Sequence, residues 1–124
     1  MLEWFASHDE NHPVIVAEFE NHIVGWASLS RWSDKKAYDT TAEVSVYVKK
    51  EFRSKGIGKQ LIGMITLEGE KVGLHNILAR ISEGNEVSIH LFESFGYDQF
   101  GIMKEAGKKF GKFWSVHFLQ KIFG

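Results

Sequence analysis

Glu43 stands in the run Thr41-Ala42-Glu43-Val44-Ser45-Val46-Tyr47-Val48, and Arg53-Ser54-Lys55-Gly56-Ile57-Gly58-Lys59 follows within a few residues. The first run alternates strictly. Ala42, Val44, Val46 and Val48 read as the core face of a strand, and Thr41, Glu43, Ser45 and Tyr47 as the other face. A carboxylate, two hydroxyls and a phenol on one face can move protons and hold a polar substrate. In the second run, glycines let the backbone approach a ligand closely. Free N–H groups at a helix start, with the helix dipole, favour an anion there. Arg53, Lys55 and Lys59 add local positive charge. The same loop also reads as an ordinary strand–helix turn with solvated lysines, and its sequence does not separate the two readings.

Nucleotide readings of the loop fit poorly. A Walker-type phosphate loop needs four residues between its glycines and then Lys-Ser/Thr, whereas Gln60 follows Lys59. A dinucleotide fingerprint needs a third Gly or Ala where Leu61 stands. What remains is Arg53-x-x-Gly56-x-Gly58 opening a helix.

The elements around these residues follow from pattern. Val14 to Phe19 and Ile23 to Leu29 read as a hairpin with Glu20-Asn21-His22 as its turn, because Asn tolerates positive φ. Arg31 to Asp39 is a polar loop, and Thr41 to Val48 is the third strand. Leu61, Ile62, Met64, Ile65 and Glu68 recur at helical spacing, and Gly73 fits the helix end. Ile77 to Ile81 is a short strand. Asn85 caps a second helix that buries Ile89, Phe92 and Phe95 and ends at Gly96. Tyr97 to Met103 and Phe113 to Ile122 are two further strands, joined by a basic loop from Lys104 to Lys112. The predicted order is β-β-β-α-β-α-β-β, a mixed α/β sheet.

Composition narrows the class. The chain has 124 residues, 44% of them hydrophobic, which suggests a single domain over 1–124. A formal net charge of -1 gives no global field for nucleic acid or an anionic membrane. There is no Cys, hence no disulfide, thiolate nucleophile or Cys-type zinc site. No apolar run approaches the roughly 20 residues of a membrane-spanning helix. Met1-Leu2-Glu3-Trp4-Phe5 is acidic and aromatic, unlike a signal peptide. A cytoplasmic protein is expected. His8 and His12 lie in a polar turn beside Pro13 and are not read as metal ligands, so no metal is expected.

The combined pattern resembles the GCN5-related N-acetyltransferases, and within them the phosphinothricin/methionine sulfone acetyltransferase family. The segments that carry the resemblance are His12-Pro13-Val14-Ile15-Val16-Ala17-Glu18, Val24-Gly25-Trp26-Ala27-Ser28-Leu29, Ala37-Tyr38, the Glu43 strand, Gly56-Ile57-Gly58, Asn85-x-x-Ser88-Ile89 and Glu105-x-Gly107-x-Lys109-Phe110-Gly111. It runs from about Trp4 to Gln120. It implies a mixed, mostly antiparallel sheet flanked by helices, here lacking the usual N-terminal strand and helices, with Trp4-Phe5 as the end of the second helix. It implies transfer of an acetyl group from acetyl-CoA to the amine of a small amino acid-like substrate. Glu43 then matches the general base. Val46, Tyr47 and Val48 offer backbone groups to the pantetheine and thioester. Arg53, Ser54, Lys55, Gly56, Ile57, Gly58 and Lys59 hold the pyrophosphate, and Asn85, with Ser88 nearby, bonds the coenzyme. Tyr38, Glu43 and Ser45 face the acceptor.

Phe92 stands where the family usually has His or Tyr, so a proton donor proposed there is missing; His90 points elsewhere on its helix. With the N-terminal elements absent, Val14 to Phe19 is expected as an exposed edge strand, and a homodimer would cover it. Lys104, Lys108, Lys109 and Lys112 read as a solvated loop, with contact to the coenzyme's 3′-phosphate as a weaker alternative. A non-catalytic coenzyme A-binding module is the alternative function.

Overall fold

The computed structural model describes residues 2–9 and 12–124, apart from the side chains of His8 and Asp9. The expected absence of a metal at His8 and His12 therefore concerns a side chain outside the described residues. Among the described residues seven strands form one sheet in the order β1-β2-β3-β4-β5-β7-β6. They are β1 (Leu2–Asp9), β2 (His12–Phe19), β3 (His22–Arg31), β4 (Thr41–Val48), β5 (Asn76–Ser82), β6 (Asp98–Lys109) and β7 (Lys112–Ile122). Helix α1 (Ile57–Lys71) links β4 to β5, and α2 (Glu86–Ser94) links β5 to β6. All neighbours are antiparallel except β4 and β5. A parallel pair needs a long crossover, which α1 provides.

The alternation seen in the sequence decides what is buried. Ile15 and Ala17 of β2, Ala27 and Leu29 of β3, Ala42 and Val44 of β4, and Ile77, Ala79 and Ile81 of β5 are all buried. They pack against Ile57, Leu61, Ile62 and Ile65 on α1 in one core, with Ile89 and Phe92 of α2. The β2–β3 turn takes positive φ at Asn21, as the sequence predicts, and at Glu20 as well. On the opposite face the pairs Phe5–Val16, Val16–Trp26 and Trp26–Tyr47 make a continuous row across four strands. Phe5, Trp26 and Tyr47 are exposed there.

Two expectations are corrected. Trp4 and Phe5 do not end a helix: they lie in β1, which pairs with β2 along its whole length. Leu2 and Trp4 rest on the core from this strand. Val14 to Phe19 is consequently an inner strand and not an apolar edge. Lys104 to Lys112 is not a loop either. β6 and β7 continue through it as a protruding hairpin that turns at Phe110-Gly111, both at positive φ. A register shift between Met103 and Gly107 absorbs the extra residues as a bulge.

One buried polar pair anchors α1 to the start of β6. The hydroxyls of Thr66 and Tyr97 lie 2.8 Å apart, and Tyr97 meets Phe92 edge-on at 5.0 Å. Burial pushes the Tyr97 phenol up to about 12, against the lowering effect of the Thr66 hydrogen bond. A pKa raised in the folded state means that this stability is complete below the ordinary tyrosine value and is lost as pH rises through about 12. Tyr97→Phe is expected to strand the Thr66 hydroxyl and cost ~1–3 kcal/mol in urea unfolding at neutral pH, with most of it recovered in Thr66→Val/Tyr97→Phe. Equal stability of the single variant and the native protein would contradict this.

Candidate active site

The parallel β4–β5 ladder is short. It contains Thr41–Asn76, Ala42–Ile77 and Glu43–Leu78, and no pairing continues beyond Glu43. From Val44 onward β4 keeps β3 on one side and has no ladder partner on the other. Both strands continue past that point without pairing, β4 from Val44 to Val48 and β5 from Ala79 to Ser82, and the unpaired stretch between them is the slot considered below. Backbone donors and acceptors in such a slot must be satisfied by water, by a ligand or by a side chain, as the Val48 carbonyl is by Arg53 Nε.

The sequence predicts Thr41, Glu43, Ser45 and Tyr47 on a single face, and the structure places them so, with Glu43 opposite Ser30 and Ser45 opposite Ser28. Glu43 sits where the ladder ends. Its side chain is 21% exposed, and its Oε2 accepts a hydrogen bond from Arg80 Nε at 2.6 Å. The Ser30 hydroxyl donates to the Glu43 main-chain carbonyl at 3.4 Å. Ser45 is exposed on the same face, and the Tyr47 ring stacks on Trp26 at 6.1 Å. Val46 and Val48 turn their side chains toward the core, which leaves their backbone as what they can offer the slot. Tyr38, in a 3-10 turn between β3 and β4, packs edge-on against Trp32 at 4.9 Å.

The glycine loop closes one end of β4. Ser54 and Gly56 both take positive φ, at 65° and 82°. Gly56 is the N-cap of α1 and makes no side-chain cap bond, so the N–H groups of the first turn are open to water or a ligand. A Cβ at Gly56 would meet nothing within 4 Å, and one at Gly58 would only touch Val48 at 3.7 Å. Internal packing does not demand glycine at either place, though the backbone at Gly56 does. Arg53 Nε donates to the Val48 carbonyl at 3.1 Å, tying the loop to the end of the strand. Lys55 Nζ lies over the Phe52 ring at 5.4 Å.

Asn85 caps α2, as the sequence predicts. Its Oδ1 accepts from the Ser88 N–H at 3.3 Å, and the amide nitrogen keeps its donors. Phe92 is buried at 7% exposure against Tyr97, so the position expected to carry a donor faces the core. Two grooves lie away from all this. One, of about 360 Å³, runs between α1 and the end of the chain, and one of about 450 Å³ sits under the β6–β7 hairpin. Neither is lined by Glu43 or by the glycine loop. We place the site along β4 from Glu43 to Val48 because Glu43 and Ser45 lie on it, Arg80 meets Glu43 from β5, and the glycine loop follows its far end.

Sequence reasoning missed Arg80. The alternation of Ile77, Ala79 and Ile81 already puts it on the face of Glu43. Only the register between two parallel strands brings the two side chains together.

The family description "Acetyltransferase (GNAT) family" matches residues 1–97. The chain is 34% identical over 119 residues to an L-methionine sulfoximine/L-methionine sulfone acetyltransferase of Pseudomonas paraeruginosa, covering 94% of this chain and 69% of the relative. It is 33% identical over 122 residues to a phosphinothricin N-acetyltransferase of Streptomyces coelicolor, covering 95% of this chain and 71% of the relative. Among solved structures it is similar to a phosphinothricin acetyltransferase from Sinorhizobium meliloti in complex with acetyl-CoA. The TM-score is 0.86 at 32% identity, over 91% of this chain and 62% of that one.

Proposed function

The chain belongs to the acetyltransferase (GNAT) family and is an acetyl-CoA-dependent N-acetyltransferase, and from that premise we propose that its acceptor is a small amino acid-like amine handled at the β4–β5 slot with Glu43 as general base. The observation that carries the reading is the short β4–β5 ladder. It ends at Glu43 and opens toward the glycine-capped start of α1. The acceptor class rests on the relatives named for methionine sulfone and phosphinothricin.

The residues present fit acetyl-CoA. Its pyrophosphate needs an anion cradle, and the loop from Arg53 to Lys59 combines an uncapped helix start with open space at Gly56. Arg53, Ser54, Lys55, Gly56, Ile57, Gly58 and Lys59 would hold that group. The backbone of Val46, Tyr47 and Val48 would hold the extended arm, as a neighbouring strand would. The Asn85 amide nitrogen, with Ser88 beside it, would donate to the coenzyme from the opposite wall. When bound, acetyl-CoA supplies an acetyl group activated as a thioester.

The acceptor arrives mainly as an ammonium and must lose a proton before it can attack. Glu43 takes that proton, directly or through one water. An N–H near Val46 or Tyr47 would donate to the thioester carbonyl oxygen and stabilise negative charge there. Ser45 and Tyr38 line the acceptor side. After attack the acceptor nitrogen would give up its second proton to water, and water would return one to the leaving thiolate, so that only the proton taken by Glu43 is left to be released. Phe92 has none to give, and the Tyr97 hydroxyl is buried against Thr66. Because there is no Cys, the reaction runs by direct transfer without a thioester to the protein.

Residues 1–124 act as one acetyltransferase domain in this reading, and the protein works in the cytoplasm. No helix among the described residues is long and apolar enough to cross a membrane. A two-fold homodimer is part of the proposal. With β1 covering β2, its support is the exposed row of Phe5, Trp26 and Tyr47 and not an apolar edge. Light scattering at micromolar concentration is expected to give twice the mass of the chain; a stable monomer would remove the dimer from the account.

Thermal shift tests the coenzyme assignment. Acetyl-CoA and CoA are expected to raise the melting temperature, and ATP and NAD to leave it unchanged. Stabilisation by ATP or NAD alone would refute it.

A further inference from the structure

Arg80 and Glu43 meet where β4 and β5 part. Glu43 is the last residue of the short ladder, paired with Leu78, and Arg80 lies two residues further along β5 on the same face. The guanidinium reaches back across the opening and spends only its Nε, on Glu43 Oε2 at 2.6 Å. Arg–carboxylate pairs commonly use two parallel N–H donors. Here the Nη edge of Arg80 has no partner among the described residues, and the side chain is 55% exposed. The other Glu43 oxygen, Oε1, is likewise uncommitted. An exposed ion pair of this kind contributes little to stability, so holding the strands together is a poor account of it.

The pair presents a negative oxygen and a forked cation side by side at the mouth of the slot. An α-amino acid carries the complementary pattern, with its ammonium and carboxylate on one carbon. We propose that Glu43 and Arg80 together form a receptor for the α-amino acid zwitterion, with the Nη edge of Arg80 taking the carboxylate while Glu43 receives the ammonium it will deprotonate. Arg80 is thereby a specificity residue for the acceptor. This rests on the function proposed above and adds to it a reason why an amino acid is chosen over a simple amine. A receptor that is itself a neutral couple admits a neutral zwitterion at little cost in charge. It rejects an amine without a carboxylate by leaving the fork unfilled.

The test compares L-methionine sulfone with the matching amine that lacks the carboxylate. In the native protein the kcat/KM ratio is expected to favour the amino acid. In Arg80→Ala that ratio is expected to fall by about 10–10²-fold, the loss appearing mainly as a raised KM for the amino acid. Arg80→Lys, which keeps the charge and loses the fork, should recover only part of it. Calorimetric titration of L-methionine sulfone into the CoA-saturated native and Arg80→Ala proteins reads the same difference without turnover. Absence of turnover with every amine would sink the acetyltransferase reading, and the calorimetric difference would still decide the role of Arg80. A folded Arg80→Ala protein with a lowered melting temperature but the native ratio and native affinity would show a merely structural pair and overturn the proposal.

Discussion

Glu43→Gln is expected to lower turnover by ~10²–10⁴-fold while acetyl-CoA affinity stays near the native value. The amide keeps the shape of the side chain and can still accept the hydrogen bond from Arg80 Nε, so the mouth of the slot stays assembled. What it cannot do is take a proton from the ammonium. The loss should therefore appear in kcat, with a further loss in kcat/KM because the amide also holds the ammonium less well. Steady-state kinetics of the two proteins, from about pH 6 to about pH 9, make the comparison. Equal rates across that range would remove Glu43 from the role of base and leave Ser45 and Tyr47 as mere neighbours of the reaction.

The second large effect belongs to the cradle. Gly58→Val is expected to weaken acetyl-CoA binding by ~10²–10⁴-fold, the loss of about two charge-assisted hydrogen bonds. Gly58 is the better position for this test. It lies inside α1 without positive φ, and its Cβ would meet only Val48 at 3.7 Å. At Gly56, with φ at 82°, any other residue would also strain the turn, confounding binding with folding. Calorimetry on a variant with native circular dichroism is the measurement. Native affinity in that variant would place the pyrophosphate elsewhere.

The parts of the fold legible in the sequence are those whose signals are local. β4 shows because its alternation is strict, α1 because apolar residues recur at helical spacing behind two glycines, and α2 because Asn85 caps it. The first strand was invisible for a physical reason. Leu2–Asp9 has no consistent alternation, with Phe5 exposed beside the half-buried Trp4, and it is a strand only because the edge of β2 is there to pair with it. The β6–β7 hairpin was hidden differently. Its outer part is exposed on both faces, so lysines and glycines could occupy it without the periodicity that marks a half-buried strand.

The candidate site divides in the same way. Glu43, Ser45, Tyr47 and the glycine loop lie in one continuous stretch, residues 43–59, so position in the sequence alone groups them. Arg80 is 37 positions from Glu43 and becomes its partner only through the parallel register of β4 and β5. Phe92 illustrates the opposite case. Its departure from the family pattern was visible, and the structure supplies the consequence: the ring packs on Tyr97 in the core and leaves no donor at that place.

The central claim is direct transfer of an acetyl group from acetyl-CoA to a small amino acid-like amine. A single-turnover reaction of excess protein with acetyl-CoA and L-methionine sulfone, read by mass spectrometry of protein and small molecules together, tests it most directly. The account predicts one acetyl group on the amine nitrogen, one equivalent of free coenzyme A, and a protein of unchanged mass. Acetate in place of acetylated amine, or an acetylated protein formed before the product, would contradict it.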